Sequence, residues 1–285
     1  MKNQLYLWIM LAWALVGSAH AQTTEDSVTR KASWSVALEA ANNSSFYGRN
    51  TVTKYPYAAA TLTYAHNSGF WASTTTYQLF ETVDYIDETD VSVGYSFPIS
   101  KRLSANLSYS HFFFSENAPM VKSVTENAVT ASTTLDWKYL YTSLNTSYFF
   151  GESSDVIVQF ENSRYIGLNP IWNGRNPVGL DPKIGVTGGT QEFSETYTVE
   201  RKKELDDWFE DVLKPGKDKE PETTTTTTTK HKFQVLSYDF YVPLVVMLGN
   251  FELEPTYRYS VPVNKLEGDE SKAQSFFSVK ASYTF

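Results

Sequence analysis

Six ionisable residues lie on the polar side of segments whose residues alternate between apolar and polar side chains: Glu39, Asp239, Glu252, Glu254, Arg258 and Lys280. Carboxylates and amines that share a confined space select ions by their charge. They also form salt bridges that brace a narrow structure and block flow through it. Both interpretations stay open, and Glu161 and Asp136 add further acidic groups elsewhere. We expect the six residues to form one charged cluster.

A catalytic role is considered for His111, which has Ser110 next to it and Ser115 four residues on. A serine nucleophile needs a histidine within hydrogen-bond reach and a third group that orients the imidazole. Ser110 lies on the opposite parity, and no serine lies two residues from His111. His66 and His231 are far from His111 in sequence, and cysteine is absent. We therefore predict no catalytic residue, no metal site and no cofactor.

The elements that carry these residues are predicted from a period-two alternation, which is typical of a strand with one apolar and one polar face. The clearest case has Leu103, Ala105, Leu107 and Tyr109 on one side, opposite serine and asparagine residues. In the third segment the outward face is assigned to larger side chains, namely Trp71, Thr75, Tyr77 and Leu79. The charged residues listed first lie on the opposite, polar faces of such strands.

The alternation recurs about twelve times, with ten or fourteen strands as alternatives. No stretch after the N-terminus approaches the roughly 18 to 20 apolar residues of a spanning helix, so a membrane location would require a closed barrel. The polar parity consists mainly of Ser, Thr, Asn and Gln, which suits a narrow wet lumen. A soluble two-sheet protein is the competing hypothesis, with charged residues expected on its polar face. We predict an all-β protein, a transmembrane antiparallel up-and-down barrel whose closure brings Glu39 beside the last strands.

Composition agrees with this class of protein. Aromatic residues make up 15% of the chain, as expected where rings form girdles at both membrane surfaces. The formal charge is −8, which argues against nucleic acid as a partner, since that would favour a basic face.

The N-terminus has the pattern of a secretory signal peptide. Lys2 provides a basic start, residues 5–16 are apolar, and Ala19-His20-Ala21 forms a small-residue cleavage site. We predict a signal peptide over 1–21 and an exported barrel over 22–285.

The connections between the predicted strands alternate in length, as in barrels with short periplasmic turns and long outer loops. Short turns are assigned at 67–69, 98–102, 136–139 and 249–250, and longer loops at 46–55, 81–88, 116–125, 203–232 and 265–272. This pattern places both termini in the periplasm.

Two segments depart from the strand pattern. Residues 164–189 are predicted as an irregular insert that either forms a partial plug or contains two more strands. The ninth strand is then assigned to Phe193, Tyr197 and Val199. Residues 203–232 combine an amphipathic helix with seven consecutive threonines and are assigned to an extracellular loop.

The end of the chain carries the most specific motif, with aromatic or apolar residues at every second position: Phe277, Val279, Ala281, Tyr283 and Phe285. This run resembles the C-terminal signature of bacterial outer-membrane β-barrel proteins. The resemblance implies an outer-membrane location, contact with outer-membrane lipid, and insertion by the barrel-assembly machinery. It carries no information about activity, because many functions share this architecture.

Three functions are compatible with these features. The leading hypothesis is a passive, porin-like channel for small solutes or ions. The second is a closed structural or surface-interaction barrel that uses its long outer loops. A lipid-modifying enzyme is a lesser alternative, because some twelve-stranded outer-membrane barrels are phospholipases with a Ser-His pair near the outer rim.

Overall fold

The computed structural model describes residues 32–50, 53–80, 82, 84–115, 126–151, 154–171, 176–190, 232–266 and 269–285. Fourteen strands occur in these residues. They are β1 (Ser33–Ala41), β2 (Tyr57–Ala65), β3 (Phe70–Leu79), β4 (Glu88–Pro98), β5 (Leu103–Phe114), β6 (Asn127–Asp136), β7 (Tyr141–Phe150), β8 (Ser154–Ser163), β9 (Ile166–Ile171), β10 (Asn176–Leu180), β11 (Lys183–Gly189), β12 (Gln234–Leu248), β13 (Phe251–Pro262) and β14 (Gln274–Thr284).

Twelve of these strands close into a ring of antiparallel neighbours. β1 to β8 follow one another, β8 pairs with β11, β11 with β12, and β14 returns to β1. Closure is completed at the chain end, where the Phe285 amide donates to the Trp34 carbonyl at 2.8 Å. The prediction of an up-and-down barrel of about twelve strands is confirmed. The predicted proximity of the first and last strands follows from the same closure.

The barrel wall is apolar outside and polar inside. Large side chains on the outward parity are exposed along the strands, among them Leu38, Leu107, Phe113 and Val279. Exposed aromatic residues concentrate towards the two ends of the barrel. Trp34, Phe70, Phe97, Trp137 and Phe285 lie at the end with the short turns, and Phe113, Tyr148, Tyr238, Tyr259 and Phe277 lie towards the end with the long loops. Such rings are the girdles of a membrane-spanning barrel.

No helix in the described ranges is long and apolar enough to cross a membrane. The helix predicted over 203–213, the threonine tract and the strand predicted at 193–199 lie outside the described residues, as does the leader over 1–21.

Residues 164–189 were predicted as an irregular insert that forms a partial plug or contains two more strands, and the described residues of this segment contain three strands, β9, β10 and β11. Its last part, β11, is the ninth strand of the ring, a place wrongly assigned to residues 193–199. Its first part forms the hairpin β9–β10, which continues β8 and β11 beyond the wall. Ser163 pairs with Lys183 and Ile166 with Leu180, so the register is the same on both sides of the break. β10 also pairs with the end of β12. The described part of the hairpin therefore extends the sheet and does not fold into the lumen as a plug.

The face assigned to β3 is also wrong. Thr74 is opposite Leu62 and Val91, which are exposed on the outside. Partners directly across a sheet share a face, so Thr74 and Thr76 point outward, while Trp71, Thr75, Tyr77 and Leu79 point into the barrel. Residue size alone misled the prediction. Trp71 fits inside because its two register partners are the small residues Ala65 and Gly94.

Single-cysteine labelling tests this corrected face, because the chain contains no cysteine. In liposomes, Thr75→Cys is expected to react with a small water-soluble thiosulfonate, since its side chain lines the lumen. Thr74→Cys is expected to react instead with a membrane-soluble maleimide. The unfolded variants, which should react equally with both reagents, serve as the control. The opposite labelling pattern would restore the original assignment.

Candidate functional site

The candidate site is the lumen, which encloses a cavity of about 370 Å³. Its walls are mostly small hydroxyl and amide side chains: Thr61, Ser73, Thr75, Ser92, Asn106, Ser108, Ser110, Thr130, Ser132, Asn145, Ser147 and Gln159. Many of the hydroxyls bond across neighbouring strands, as Ser92 does with Ser110 at 2.7 Å and Thr130 with Ser147 at 2.8 Å. A wall of this kind satisfies its own polar groups and offers further lone pairs to water or a solute.

The predicted charged cluster is brought together on the lumen side of β1, β12, β13 and β14. Lys280 lies between Glu39 on one side and Glu254 on the other, as the register of β14 shows. Glu39 also accepts a hydrogen bond from the Tyr57 hydroxyl at 2.8 Å. Neighbouring strands hold partners of this kind about 5 Å apart at Cβ. Four carboxylates and two bases therefore share one side of the tube.

The ion pair at the centre of this cluster joins Arg258 and Asp239. Nε and Nη2 of Arg258 lie 2.9 and 2.8 Å from Asp239 Oδ1. The second oxygen of Asp239 accepts from the Ser237 hydroxyl at 2.7 Å. The guanidinium also lies over the rings of Tyr241 and Phe276, at 5.4 and 5.0 Å from their centroids. The pair is nearly enclosed, so its contacts hold β12 to β13 from inside the barrel.

Glu252 lies two residues before Glu254 on β13 and faces the same interior. Its side chain is almost completely enclosed, and Oε2 makes no hydrogen bond within the described part of the chain. Of the other acids, Glu161 faces Asp239 across Gly185, where a Cβ would lie 3.4 Å from the Glu161 side chain. Asp136 lies apart from the cluster, at the end of β6, and accepts from the Lys138 amide.

A feature not predicted from the sequence lies within the lumen at the end with the long loops. Residues 46–49, named here the mouth turn, form a tight turn in which Phe46 and Arg49 exchange two backbone hydrogen bonds of 2.9 Å. Phe46 and Tyr47 pack against Phe149 with ring centroids 5.4 and 5.6 Å apart. The turn follows β1, and Phe149 belongs to β7, which is the sixth strand further round the ring of twelve. The mouth turn therefore crosses the barrel from one wall to the other.

Beneath and around the mouth turn lies an apolar cluster. Ala128, Phe149, Ile157 and Leu236 are all at most 4% exposed, and Phe112 packs against them. Leu236 belongs to the outward parity of β12 by spacing, but the register shifts between Thr187 and Gly188. This bulge accompanies the burial of the leucine. The lumen therefore has an apolar constriction at one end and a polar cavity below it.

Arg49 fastens the mouth turn to the wall. Its guanidinium donates to the carbonyls of Leu236 at 3.1 Å, Val263 at 3.0 Å and Asn264 at 3.4 Å. Nε lies 3.0 Å from Asp269 Oδ2. Burial lowers the pKa of Arg49 from its ordinary value, and the Asp269 carboxylate opposes that change. An arginine remains protonated throughout the physiological range, so this fastening persists there.

Positive backbone angles at the mouth turn explain its sequence. Tyr47 and Gly48 have φ of 47° and 83°, and a Cβ at position 48 would lie only 2.4 Å from Ser237 Cβ. Glycine is the residue that tolerates both the angle and the close approach. A glycine in a polar loop was the one sequence signal for this turn, and it does not reveal that the loop folds inward.

Trp71 and Tyr77, on the inward face of β3, also line the cavity. The Trp71 indole donates from Nε1 to Asn106 Oδ1 at 2.7 Å, and Ser96 donates to the same oxygen at 2.9 Å. A Cβ at Gly94 would lie 2.5 Å from two atoms of the indole ring. The ring therefore lies against the bare backbone of Gly94. Sequence reasoning missed both aromatics because it placed them on the outside.

His111 lies on the outer half of β5, with its ring edge-on to Phe113 at 4.3 Å. Nδ1 is 2.8 Å from Asn127 Oδ1, which also accepts from the Tyr109 hydroxyl. The imidazole thus has an orienting partner that the sequence did not reveal. Its neighbours two residues away on the same face are Tyr109 and Phe113, and Ser110 bonds to Ser92 inside the lumen. In the described residues, no group of three or more His, Cys, Asp or Glu could hold a metal ion.

A closed tube with an apolar exterior, aromatic girdles and a polar lumen is a transmembrane β-barrel. No family model matches the chain, and no curated protein matches its sequence. Solved structures that resemble it include the COG4313 outer membrane channel from Pseudomonas putida F1, with 7% identity, coverage of 93% of this chain and 100% of that one, and a TM-score of 0.49. The KdgM porin is 9% identical, with coverage of 88% of this chain and 99% of that one and a TM-score of 0.48. LpxR from Salmonella typhimurium is 12% identical, with coverage of 88% of this chain and 100% of that one and a TM-score of 0.43. Similarity at this level identifies neither a family nor an activity.

Proposed function

We propose that this protein is a passive channel for small hydrophilic solutes and ions in the bacterial outer membrane. The observation that carries the proposal is the polar cavity of about 370 Å³ inside a closed tube. Water and polar solutes cross a bilayer only where the protein replaces their hydrogen bonds. The hydroxyl-lined wall offers such replacements along the lumen.

The proposed location is supported by both ends of the chain. Residues 1–21 have the pattern of an export signal. The outward face of β14 presents Phe277, Val279 and Tyr283, and the terminal Phe285 follows it. We propose that this face is the signature used by the barrel-assembly machinery, and that outer-membrane lipid covers the apolar wall.

The charged cluster is proposed to set selectivity. Glu39, Asp239, Glu252 and Glu254 outnumber Arg258 and Lys280 in the cluster. Glu39 and Lys280 line the cavity itself, together with Asp90. A lumen with excess carboxylates concentrates cations and repels anions. Small cations and neutral solutes are therefore the favoured permeants, and anions are disfavoured.

Conductance in planar bilayers tests this function. The purified protein is expected to give discrete current steps with a cation preference, and Glu39→Gln and Asp90→Asn, which change the two acids on the cavity wall, are expected to reduce that preference. A unit charge about 4 Å from a permeating ion contributes about 1 kcal/mol in water, so salt screening leaves an expected change of about two- to fivefold in the permeability ratio. Glu270→Gln, in an exposed loop, is the matched control. An anion-selective channel, or one unaffected by both substitutions, would contradict the assignment of these carboxylates.

The second candidate is a closed structural or surface-interaction barrel. It is favoured by the apolar constriction, in which Ile157 and Phe149 are 1% and 4% exposed. A bilayer that stays silent even after the mouth turn is released would support this candidate against the channel.

A lipid-modifying enzyme is the least supported alternative. The His111–Asn127 pair would provide a base and its orienting group. The position two residues further on the same face is Phe113, which has no nucleophilic atom. We therefore propose no catalytic role for His111.

A further inference from the structure

We infer that the inner face of β3 is a binding track for neutral oligosaccharides, with the Trp71 ring as its stacking platform. The inference deepens the proposed function by naming a solute class, and it rests on the lumen being accessible to solutes. Its basis is the geometry of Trp71, Tyr77 and the hydroxyl wall across the cavity.

The first observation behind this inference is the position of the Trp71 indole ring. Atoms Cε2, Cζ2 and Nε1 of the indole all lie within 2.8 Å of the point where a Cβ of Gly94 would be. Gly94 belongs to the inward parity of β4, so the ring lies over the backbone on the lumen side. The ring thus rests on the wall at Gly94, and Trp71 is one of the residues that line the cavity. The hydrogen bond to Asn106 holds the ring in this position.

A flat aromatic ring that is held in advance is suited to the apolar C–H face of a sugar. Sugars carry hydroxyls around the edge of the ring and C–H groups on its faces, so they need both an apolar platform and polar groups at its border. Ser73 and Thr75 follow Trp71 on the same face of β3, and Asn106 and Ser108 lie on the inward face of β5 nearby. Because the ring is fixed beforehand, little side-chain entropy is lost when a ligand binds.

The length of the track indicates a chain of sugars. Tyr77 lies six residues from Trp71 on the same face, which is about 20 Å at the rise of a β-strand. The centroid of its ring is 5.9 Å from that of Tyr57, whose hydroxyl donates a hydrogen bond to Glu39. Two aromatic groups separated by hydroxyl side chains would contact an extended chain of several sugar units.

The charge of the lumen excludes acidic sugars. Glu39 and Asp90 lie on the same cavity wall as Tyr77, and Lys280 is the one base among the residues that line the cavity in the described part of the chain. Carboxylated sugars would be repelled. The inferred ligand is therefore an uncharged oligosaccharide.

The test uses the purified, detergent-folded protein with maltotriose and cellotriose as neutral probes and trigalacturonate as the acidic one. Quenching of tryptophan fluorescence measures binding without passage, and interruption of the ion current in a bilayer measures binding within the pore. The neutral probes are expected to bind and trigalacturonate is not. Trp71→Ala is expected to weaken binding about tenfold, the effect of losing one aromatic contact, while Trp71→Phe retains part of it. Because Trp71→Ala also removes a fluorophore, its affinity is compared by calorimetry.

Trp137→Ala, which removes an exposed indole near the short turns, is the matched control and should bind normally. Gly94→Ala provides a second route, since its Cβ would displace the ring while Trp71 stays in the chain. Conductance without any neutral saccharide binding would overturn the track and leave the channel standing. Saccharide binding by a protein that gives no current in the bilayer would overturn the channel and leave the binding track standing. Equal binding by Trp71→Ala, Gly94→Ala and the unaltered protein would show that Trp71 is not the platform.

Discussion

Arg49→Ala is expected to release the mouth turn and to raise single-channel conductance severalfold. The buried guanidinium joins the turn to three backbone carbonyls and to the Asp269 carboxylate. Each hydrogen bond from a charged donor contributes about 1.5–3 kcal/mol, and alanine supplies none of them. Without these bonds the turn keeps the ring contacts of Phe46 and Tyr47 with Phe149. The next residue, Asn50, keeps its hydrogen bonds to Ser271 and Lys272.

Two further substitutions refine the Arg49 experiment. Arg49→Lys keeps the charge but loses the planar set of donors, so an intermediate conductance is expected. Arg102→Ala changes an exposed arginine in a short turn at the other end of the barrel and should leave conductance unchanged. Gel mobility before and after heating verifies that each barrel is folded. A folded Arg49→Ala barrel with the conductance of the unaltered protein would show that the mouth turn does not limit flow.

Arg258→Ala is expected to lower the free energy of unfolding by about 3 kcal/mol. Removing one partner of a nearly enclosed ion pair leaves the other charge uncompensated, which typically costs about 3–5 kcal/mol. We take the lower limit because the Arg258 side chain retains 21% exposure, compared with 5% for Asp239. The measurement is denaturant-induced unfolding in lipid vesicles, followed by tryptophan fluorescence.

A double-mutant cycle separates the ion pair from general packing. Combining Arg258→Ala with Asp239→Asn should cost clearly less than the sum of the single changes, because the second substitution removes the isolated charge. Lys101→Ala, at an exposed turn position, should change stability by no more than about 0.5 kcal/mol. Strict additivity of the two single changes would mean that Arg258 contributes through its ring contacts and not through Asp239.

Local pattern was enough to predict most of the wall. On β5, Leu107 and Tyr109 alternate with Asn106 and Ser108, and this period-two signal depends only on how a strand presents its side chains. β3 shows where the same signal fails. Trp71 and Tyr77 share one parity with Thr75, and Thr74 and Thr76 occupy the other, so side-chain size suggested the wrong face. The correct face depends on Gly94 and Leu62 of the neighbouring strands, which one segment alone does not contain.

The charged cluster could be predicted in part. Glu39 could be assigned to the cluster because a closed barrel must place its first strand beside its last. The pairing of Arg258 with Asp239, and the position of Lys280 between two glutamates, required the register. The hairpin β9–β10 was not assigned from the sequence, because Gly, Pro and Asn residues around the break between β8 and β9 interrupt the alternating pattern. The structure shows that the register is the same on both sides of this break.

The sequence by itself determined that the chain forms a closed antiparallel sheet with an apolar outer face and a hydroxyl-rich inner face. Both features can be predicted because alternation and composition are properties of neighbouring residues. Only the tertiary structure decided that Arg49 fastens a turn across the mouth and that Trp71 lies on Gly94. These contacts join residues that are far apart in sequence, so the preferences of neighbouring residues do not predict them. They follow from the closure of the ring and from the register of its strands.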